Sequence, residues 1–315
     1  MRHRIALVGT GATGARHARS LATSDRAKLV RVVDPRAAAG RSCADHFGAQ
    51  WTPELPELSD VDAVVLASAT GARQELAAEI LSRGKPLLVE KPVTGSLRAT
   101  TEIIALSASL DVPVMCSFPE RFNPAVLTAL ALADEPVHLM ARRHRPYAPA
   151  VRTGVAWDLL VHDVDIAIRF FGGPPSGVSS GTGHFHPYSA GGAEDAAEAV
   201  LSFPCGLAAV SASRLGHRKV HSLVLAELDR MIEVDLVRRD VTIFRDISQE
   251  TANPDGMRYR QQAVLEIPEL VSAREPLAAQ LDHFLDLVEG IGDAAAERES
   301  ILPAHSVIDE VLAPR

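Results

Sequence analysis

The segment Val8-Gly9-Thr10-Gly11-Ala12-Thr13-Gly14 constrains the fold more than any other stretch of this sequence. It follows the apolar run Ile5-Ala6-Leu7-Val8 and opens a stretch, Ala12–Thr23, whose apolar residues recur at helical spacing. Three glycines at this spacing arise by chance, but a strand before them and a helix after them give each a task. Gly9 permits a tight turn, Gly11 lets the backbone approach a ligand, and Gly14 lets the helix pack on the strand. The helix N-terminus offers unpaired amides and partial positive charge to phosphates, with Thr10, Ala12 and Thr13 completing the turn. The segment therefore reads as a dinucleotide site.

Asp34 ends the next apolar run, 20 residues beyond Gly14. A carboxylate at that point accepts hydrogen bonds from adenine ribose hydroxyls and repels a 2′-phosphate, which favours NAD over NADP. Arg36 argues the other way, because an arginine there accommodates the phosphate. Strands are expected at Arg4–Val8, Leu29–Val33, Ala63–Ala67, Leu87–Val89 and Val112–Ser117. Helices are expected at Ala12–Thr23, Ala37–Phe47, Ala72–Arg83 and Ser96–Leu110. This alternation predicts an α/β domain over 1–118, a doubly wound parallel sheet covered on both faces.

Beyond residue 118 the pattern changes. Helices are expected at Asn123–Ala131 and Val155–Phe171, with a strand at Val137–Arg145 between them. Ala197–Phe203 and Leu207–Ser213 flank Pro204-Cys205-Gly206 as a hairpin, and further strands are read at Ser222–Leu228, Arg230–Leu236 and Asp240–Phe244. Asn253–Arg260 reads as a loop, and helices at Pro276–Val288 and Ser300–Leu312 close the chain. The expectation for 119–315 is an α+β domain on an open, mainly antiparallel sheet.

With 315 residues, two domains are the natural division. A formal charge of −8 argues against a nucleic-acid partner. No apolar run is long enough to span a bilayer, and no signal peptide is read at the start. Cys43, Cys116 and Cys205 form no CxxC pair, so they read as buried or half-buried thiols in a reducing cytoplasm.

Two clusters carry chemistry. Glu90-Lys91-Pro92 follows Leu87-Leu88-Val89 at the carboxyl end of an expected parallel strand, where doubly wound sheets hold ligands. A lysine there can hydrogen-bond a substrate hydroxyl and steady a developing alkoxide, but taken by itself it reads as a surface lysine in a strand-helix loop. Asp158 and His162 are four apart and share a face if helical, with Asp165 near the same stripe. Histidine suits proton abstraction near neutral pH, and a carboxylate stabilises its charged form. The same residues suggest a cation site, but no further ligand stands at convincing spacing, so no metal is expected. An acid-rich first helical turn is the structural alternative.

Gly9–Gly14 with His17, Glu90-Lys91-Pro92, and Asp158 with His162 together resemble the Gfo/Idh/MocA oxidoreductases, over nearly the whole chain. The resemblance implies a Rossmann domain followed by an open-sheet substrate and oligomerisation domain, and assigns catalysis to Lys91, Asp158 and His162. It also places Ser68, Ala69, Glu90 and Lys91 along the cofactor, and a homodimer or homotetramer as the assembly. Glu120-Arg121-Phe122-Asn123-Pro124-Ala125-Val126 is similar to a segment of members acting on nucleotide sugars, in particular UDP-N-acetylglucosamine 3-dehydrogenases. Where the family often carries Thr-Pro-Thr/Asn-x-x-His, this chain has Ser68-Ala69-Thr70-Gly71-Ala72-Arg73. Arg73 there meets an anionic substrate group or points to solvent.

Arg121 and Arg143 are further candidates for substrate contact, beside Lys91, Asp158 and His162. Arg143 belongs to the basic run Arg142-Arg143-His144-Arg145-Pro146-Tyr147, of which a strand turns only half to one side. Gly183-His184-Phe185-His186-Pro187-Tyr188 reads as a loop; two histidines at i, i+2 are thin grounds for a metal. The expected function is oxidation of a secondary hydroxyl on a sugar-type substrate, with C3 of a nucleotide sugar or sugar phosphate as one candidate, and with hydride passing to NAD. A cyclitol dehydrogenase and a carbonyl or imine reductase are the enzymatic alternatives. A non-catalytic NAD-binding regulator is the alternative of another class.

Overall fold

The computed structural model describes residues 2–148, 153–189, 193–253 and 256–313. The chain divides into two compact units, one of residues 1–122 with 274–309 and one of 123–273 with 310–315.

The first unit holds a six-stranded sheet. Its strands are β1 (His3–Val8), β2 (Ala27–Val33), β3 (Gln50–Thr52), β4 (Ala63–Leu66), β5 (Leu87–Glu90) and β6 (Val114–Ser117). They lie in the order β3-β2-β1-β4-β5-β6, all parallel. β4, β5 and β6 are buried at every residue, as strands covered on both faces must be. The crossovers are α1 (Ala12–Thr23), α2 (Ala37–Phe47), α3 (Thr70–Ser82) and α4 (Leu97–Leu110). Ser96 caps α4 by accepting from the Ala99 amide, and Gly48 ends α2 in the left-handed conformation. The order reverses between β1 and β4, so the crevice at their carboxyl ends is the expected ligand site.

The sequence boundary at 118 leaves out a part of this unit. Helices α7 (Pro276–Val288), α8 (Ala294–Glu299) and most of α9 (Leu302–Leu312) belong to it. Leu281, Phe284, Leu285 and Leu287 of α7 join Ile5, Leu7, Ala18 and Leu21 in one buried core. Periodicity announces α7 as amphipathic, but its partner is chosen by packing alone.

The second unit carries an eight-stranded mixed sheet in the order β14-β13-β12-β11-β7-β10-β9-β8. These strands are β7 (His138–His144), β8 (Gly177–Gly183), β9 (Ala196–Phe203), β10 (Gly206–Ser213), β11 (Val220–Ala226), β12 (Arg230–Asp235), β13 (Asp240–Asn253) and β14 (Gly256–Glu266). Only β7 and β10 run parallel; the other pairs are antiparallel. α5 (Pro124–Leu132) starts from Asn123, whose side chain accepts from the Ala125 amide. The expected helix Val155–Phe171 is instead a π-wound turn, Ala156–Leu160, running into α6 (Val161–Phe170).

Strand β8 has no counterpart among the expected elements, because Gly177-Val178-Ser179-Ser180-Gly181-Thr182-Gly183 carries few β-formers. Two further expectations differ. Most of Asn253–Arg260, read as loop, lies in the β13–β14 hairpin, and 254–255 fall outside the described residues. Cys205, at the β9–β10 turn, is exposed rather than buried. Among the described residues no helix is long and apolar enough to cross a membrane, and no three His, Cys, Asp or Glu side chains converge as a metal set.

Candidate active site

The turn after β1 leaves no room for side chains at two of its glycines. A Cβ on Gly9, where φ is +94°, would stand 2.7 Å from the Ala67 backbone; one on Gly14 would stand 2.0 Å from the Gly9 carbonyl oxygen. The space around Gly11 is open, with nothing within 4 Å of where a Cβ would be. Gly11 is also the N-cap of α1 and supplies no side-chain cap, which leaves the first amides to a ligand.

In front of this turn lies a cleft of about 940 Å³, within the upper range of small-molecule sites. Gly9, Gly11, Ala12 and Thr13 line it from the β1 turn, Asp34 and Arg36 from the end of β2, Ser68 and Ala69 from the end of β4, and Arg73 from the first turn of α3. These residues fit a dinucleotide: open amides for a pyrophosphate and a carboxylate at the far end for ribose hydroxyls.

Asp34 is 2% exposed and heavily bonded. Its Oδ2 accepts from the Thr10 amide at 2.8 Å, the Thr10 hydroxyl at 2.6 Å and Arg36 Nη2 at 2.9 Å. Its Oδ1 accepts from the Arg36 amide at 2.9 Å and Arg36 Nε at 3.0 Å. Burial alone would push this carboxyl up; the bonds from Arg36 and Thr10 together outweigh it and hold it well below the usual carboxylate range. Arg36 thus spends its fork on Asp34. Thr10 belongs to the site through Asp34, not as a wall of the cleft.

Glu90 departs from its expected place along the cofactor. Its carboxylate turns inward, 7% exposed, and meets His17 Nε2 at 2.8 Å and the Ser117 hydroxyl at 2.9 Å. Gln280 Nε2 donates to the same hydroxyl at 3.1 Å. Burial pushes the Glu90 carboxyl up, but the His17 bond and charge, with Lys91, bring it below its ordinary value. A buried acid needs such a partner; losing one member of a buried pair costs about 3–5 kcal/mol.

Arg73 neither faces solvent nor stands ready for a substrate anion. It is 8% exposed, in the first turn of α3. Nε donates to the Ser68 carbonyl at 2.9 Å, and Nη1 donates to the Glu90 carbonyl at 2.8 Å and the Pro92 carbonyl at 2.5 Å. One guanidinium therefore ties the end of β4 to both sides of Lys91. Lys91 is half-buried, and its bond to Pro92 is cis.

In the second unit, Asp158 lies in the π-wound turn and His162 in the first turn of α6; both are half-buried. The extra residue per π turn re-phases the helix, so their four-residue spacing is not a plain α-helical one. Arg145 Nη2 donates to Asp158 Oδ2. Glu194 fastens the start of this segment, accepting from the Ala156 amide at 2.7 Å through its side chain and from the Val155 amide at 3.1 Å through its backbone. A Cβ on Gly154 would overlap the same carboxylate, at 1.9 Å.

Two expected substrate contacts prove to be internal. Arg121, 4% exposed, donates to Glu297 at 3.3 Å and to the Ser300 hydroxyl at 2.7 Å. Arg143, 3% exposed, sends Nε and Nη2 to the Asp163 carboxylate, at 3.1 and 2.7 Å. Both are taken inward because a buried acid lies opposite them. Asp165 is likewise buried and lies 3.7 Å from Arg169. Strand alternation on β7 marks Arg143 as differing from Arg142, but not that the core holds its partner.

Comparison with known proteins follows this division. Residues 3–118 match the family model described as oxidoreductase family, NAD-binding Rossmann fold, and residues 127–226 match the GFO/IDH/MocA C-terminal domain. The chain is 24% identical over 294 residues to a UDP-N-acetylglucosamine 3-dehydrogenase of Acidithiobacillus ferrooxidans, covering 90% of this chain and 88% of that protein. It is 29% identical over 191 residues to the scyllo-inositol 2-dehydrogenase (NAD(+)) of Bacillus subtilis, covering 56% of each. Thus the chain spans little more than half the length of the inositol dehydrogenases it matches, 57% for that of Rhizobium meliloti. The solved structure of the Acidithiobacillus enzyme shares the fold along 100% of both chains, with a TM-score of 0.81 at 22% identity. The two family matches together span more than half of the chain, which therefore belongs to the GFO/IDH/MocA oxidoreductase family, with an NAD-binding Rossmann unit at its N-terminal end.

Proposed function

We propose that this protein is an NAD-dependent dehydrogenase that oxidises a secondary hydroxyl of a sugar-like substrate. The observation that carries the proposal is Lys91: a half-buried ammonium at the carboxyl end of β5, with its backbone clasped by Arg73 and the preceding Glu90 anchored by His17, in the unit that holds the cofactor cleft. NAD, when bound, supplies the hydride acceptor. The chain's own work is to remove a proton and steady the oxygen left behind. His162 takes the hydroxyl proton as general base, a step contributing roughly 10²–10⁴-fold. Asp158, itself held by Arg145, orients His162 for this step. The Lys91 ammonium hydrogen-bonds the same oxygen as its charge develops. The reverse reduction uses the same groups. The inositols and UDP-N-acetylglucosamine named for the relatives all carry ring carbons with secondary hydroxyls.

Lys91→Ala tests the reading. Turnover falls about a hundredfold or more, as for loss of a donor to a developing oxyanion, while the Kd for NAD stays within about threefold. Near-normal turnover would remove Lys91 from the mechanism.

The second unit's sheet supports a homo-oligomer. Register aligns Val200, Ala209, Met140 and Val224 in one row across four strands, and Leu207, His138, Ala226, Met231, Phe244 and Leu265 in the next. Val200 (44%), Leu207 (47%), Met140 (51%) and Leu265 (57%) are exposed on this face. A contiguous apolar patch of this kind marks an interface, and a second copy brings the same patch to it. The three free thiols fit a reducing compartment, the cytoplasm.

A further inference from the structure

The hydrogen bonds that fasten the Asp158 segment extend to a group of aromatic rings with no part in the chemistry above. Tyr147 and His186 stack face to face, their centroids 3.6 Å apart and their planes 5° from parallel. The Tyr147 hydroxyl donates to the Tyr188 carbonyl at 2.6 Å, and the His186 and Tyr188 rings lie 5.7 Å apart. The sequence has only three tyrosines, and two of them stand here. Tyr188 is 81% exposed and its neighbour Phe185 68%. An exposed aromatic group in a chain this poor in aromatics calls for a reason.

The group is firmly built. Asp195, fully buried, accepts from the Phe185 and His186 amides at 2.7 Å each and from the Ser189 hydroxyl. Arg214, 1% exposed, lies 3.6 Å from Asp195 and donates to the Glu194 carbonyl at 3.0 Å and to the Thr153 carbonyl. Glu194 holds the Val155 and Ala156 amides at the start of the Asp158 segment. A second link comes from Arg145, which binds Asp158 and lies two residues before Tyr147. Two residues of chain span at most about 7 Å, so the backbone that carries Tyr147 lies close to the residue that binds Asp158.

We infer that Tyr147, His186 and Tyr188 form a stacking platform for a planar heteroaromatic ring, and that the substrate is a nucleoside-diphosphate-linked sugar rather than a free cyclitol. The inference rests on Asp158 and His162 as the reacting pair. A cyclitol is one ring and is used up at that pair. A nucleotide sugar has a second ring, and tyrosine and histidine faces hold nucleobases because every base presents a π-face. Arg145 connects the platform to Asp158, lying two residues before Tyr147 in the chain and bonded to Asp158. Its Nε–H is buried and has no hydrogen-bond partner among the described residues, and its charge suits the linking phosphates.

Calorimetric titration of the full chain, saturated with NAD, tests this with UDP, GDP, inorganic pyrophosphate and myo-inositol. At least one nucleoside diphosphate binds, and pyrophosphate and myo-inositol bind at least about tenfold more weakly. The double variant Tyr147→Leu/Tyr188→Ala weakens that nucleoside diphosphate about tenfold or more. It raises KM for the matching nucleotide sugar more than it lowers kcat; Tyr147→Phe, which keeps the ring, retains most of the affinity. The inference is overturned if neither nucleoside diphosphate binds, if pyrophosphate binds equally well, or if the double variant binds as the parent does. His162→Ala separates the two levels: full turnover in that variant sinks the reacting pair, whereas nucleotide binding lost only in the ring variants upholds the platform.

Discussion

Asp34 shows how hydrogen bonds fix the charge of one buried residue. Its carboxylate is charged well below neutral pH because five hydrogen bonds from Thr10 and Arg36 converge on it. The folded value lies below the usual 3.8, so its contribution is present above that pH and is lost only as pH falls further. NAD affinity is accordingly flat between about pH 8 and 5, as a fluorescence titration at each pH would show. Arg36, whose side chain is 64% exposed, is kept from other anions by the same pairing. Asp34→Ser frees it: the Kd for NAD rises about tenfold, and NADP binds better than in the parent. NADP affinity left unchanged in that variant would mean that Arg36 does not reach the 2′ position. Arg121 and Arg143 mark the limit of reading residues singly. Each is a cation in a suggestive segment, and each is spent on a buried acid, Glu297 or Asp163, that sequence distance conceals.

At the scale of elements, the ends of β4 and β5 behave as one piece because Arg73 joins them. A methionine in its place keeps the bulk and leaves the Ser68, Glu90 and Pro92 carbonyls unsatisfied, at roughly 1–3 kcal/mol for each buried group. Arg73→Met is therefore expected to lower thermal stability and to cut kcat about tenfold, with Arg73→Lys recovering part of both; an unaltered melting curve and kcat would deny the clasp. The helices bounding this region are largely legible in the sequence. Ala12–Thr23, Ala37–Phe47 and Pro276–Val288 stand where apolar periodicity puts them, since helical hydrogen bonds close within the segment. The π-wound turn at Ala156–Leu160 is not legible, because its winding depends on what fastens it, here Glu194 and Arg145. β8 and β14 are missed for a related reason: a strand is completed by its neighbour, and Gly177–Gly183 declares little by itself.

For the whole molecule, the open sheet face is the clearest consequence of register. If the proposed homo-oligomer forms through this face, a double charge substitution, Met140→Asp with Leu207→Asp, converts it to monomers in sedimentation while leaving circular dichroism unchanged, since both side chains already face outward. A native assembly of unchanged size would locate the interface elsewhere. By itself the sequence determined the parallel sheet, the glycine turn with Asp34 at its far side, and Lys91 at a strand end. Each of these follows from local pattern: strand and helix periods, and the φ or close approach that only glycine tolerates. Only the tertiary structure decided that 274–309 packs with the first sheet, that Glu90 faces His17, that Arg73 clasps Lys91, and that Arg121 and Arg143 turn inward. Those outcomes depend on which buried group meets which across many residues of chain. Burial makes an unmet polar group costly, and the fold alone fixes the partner.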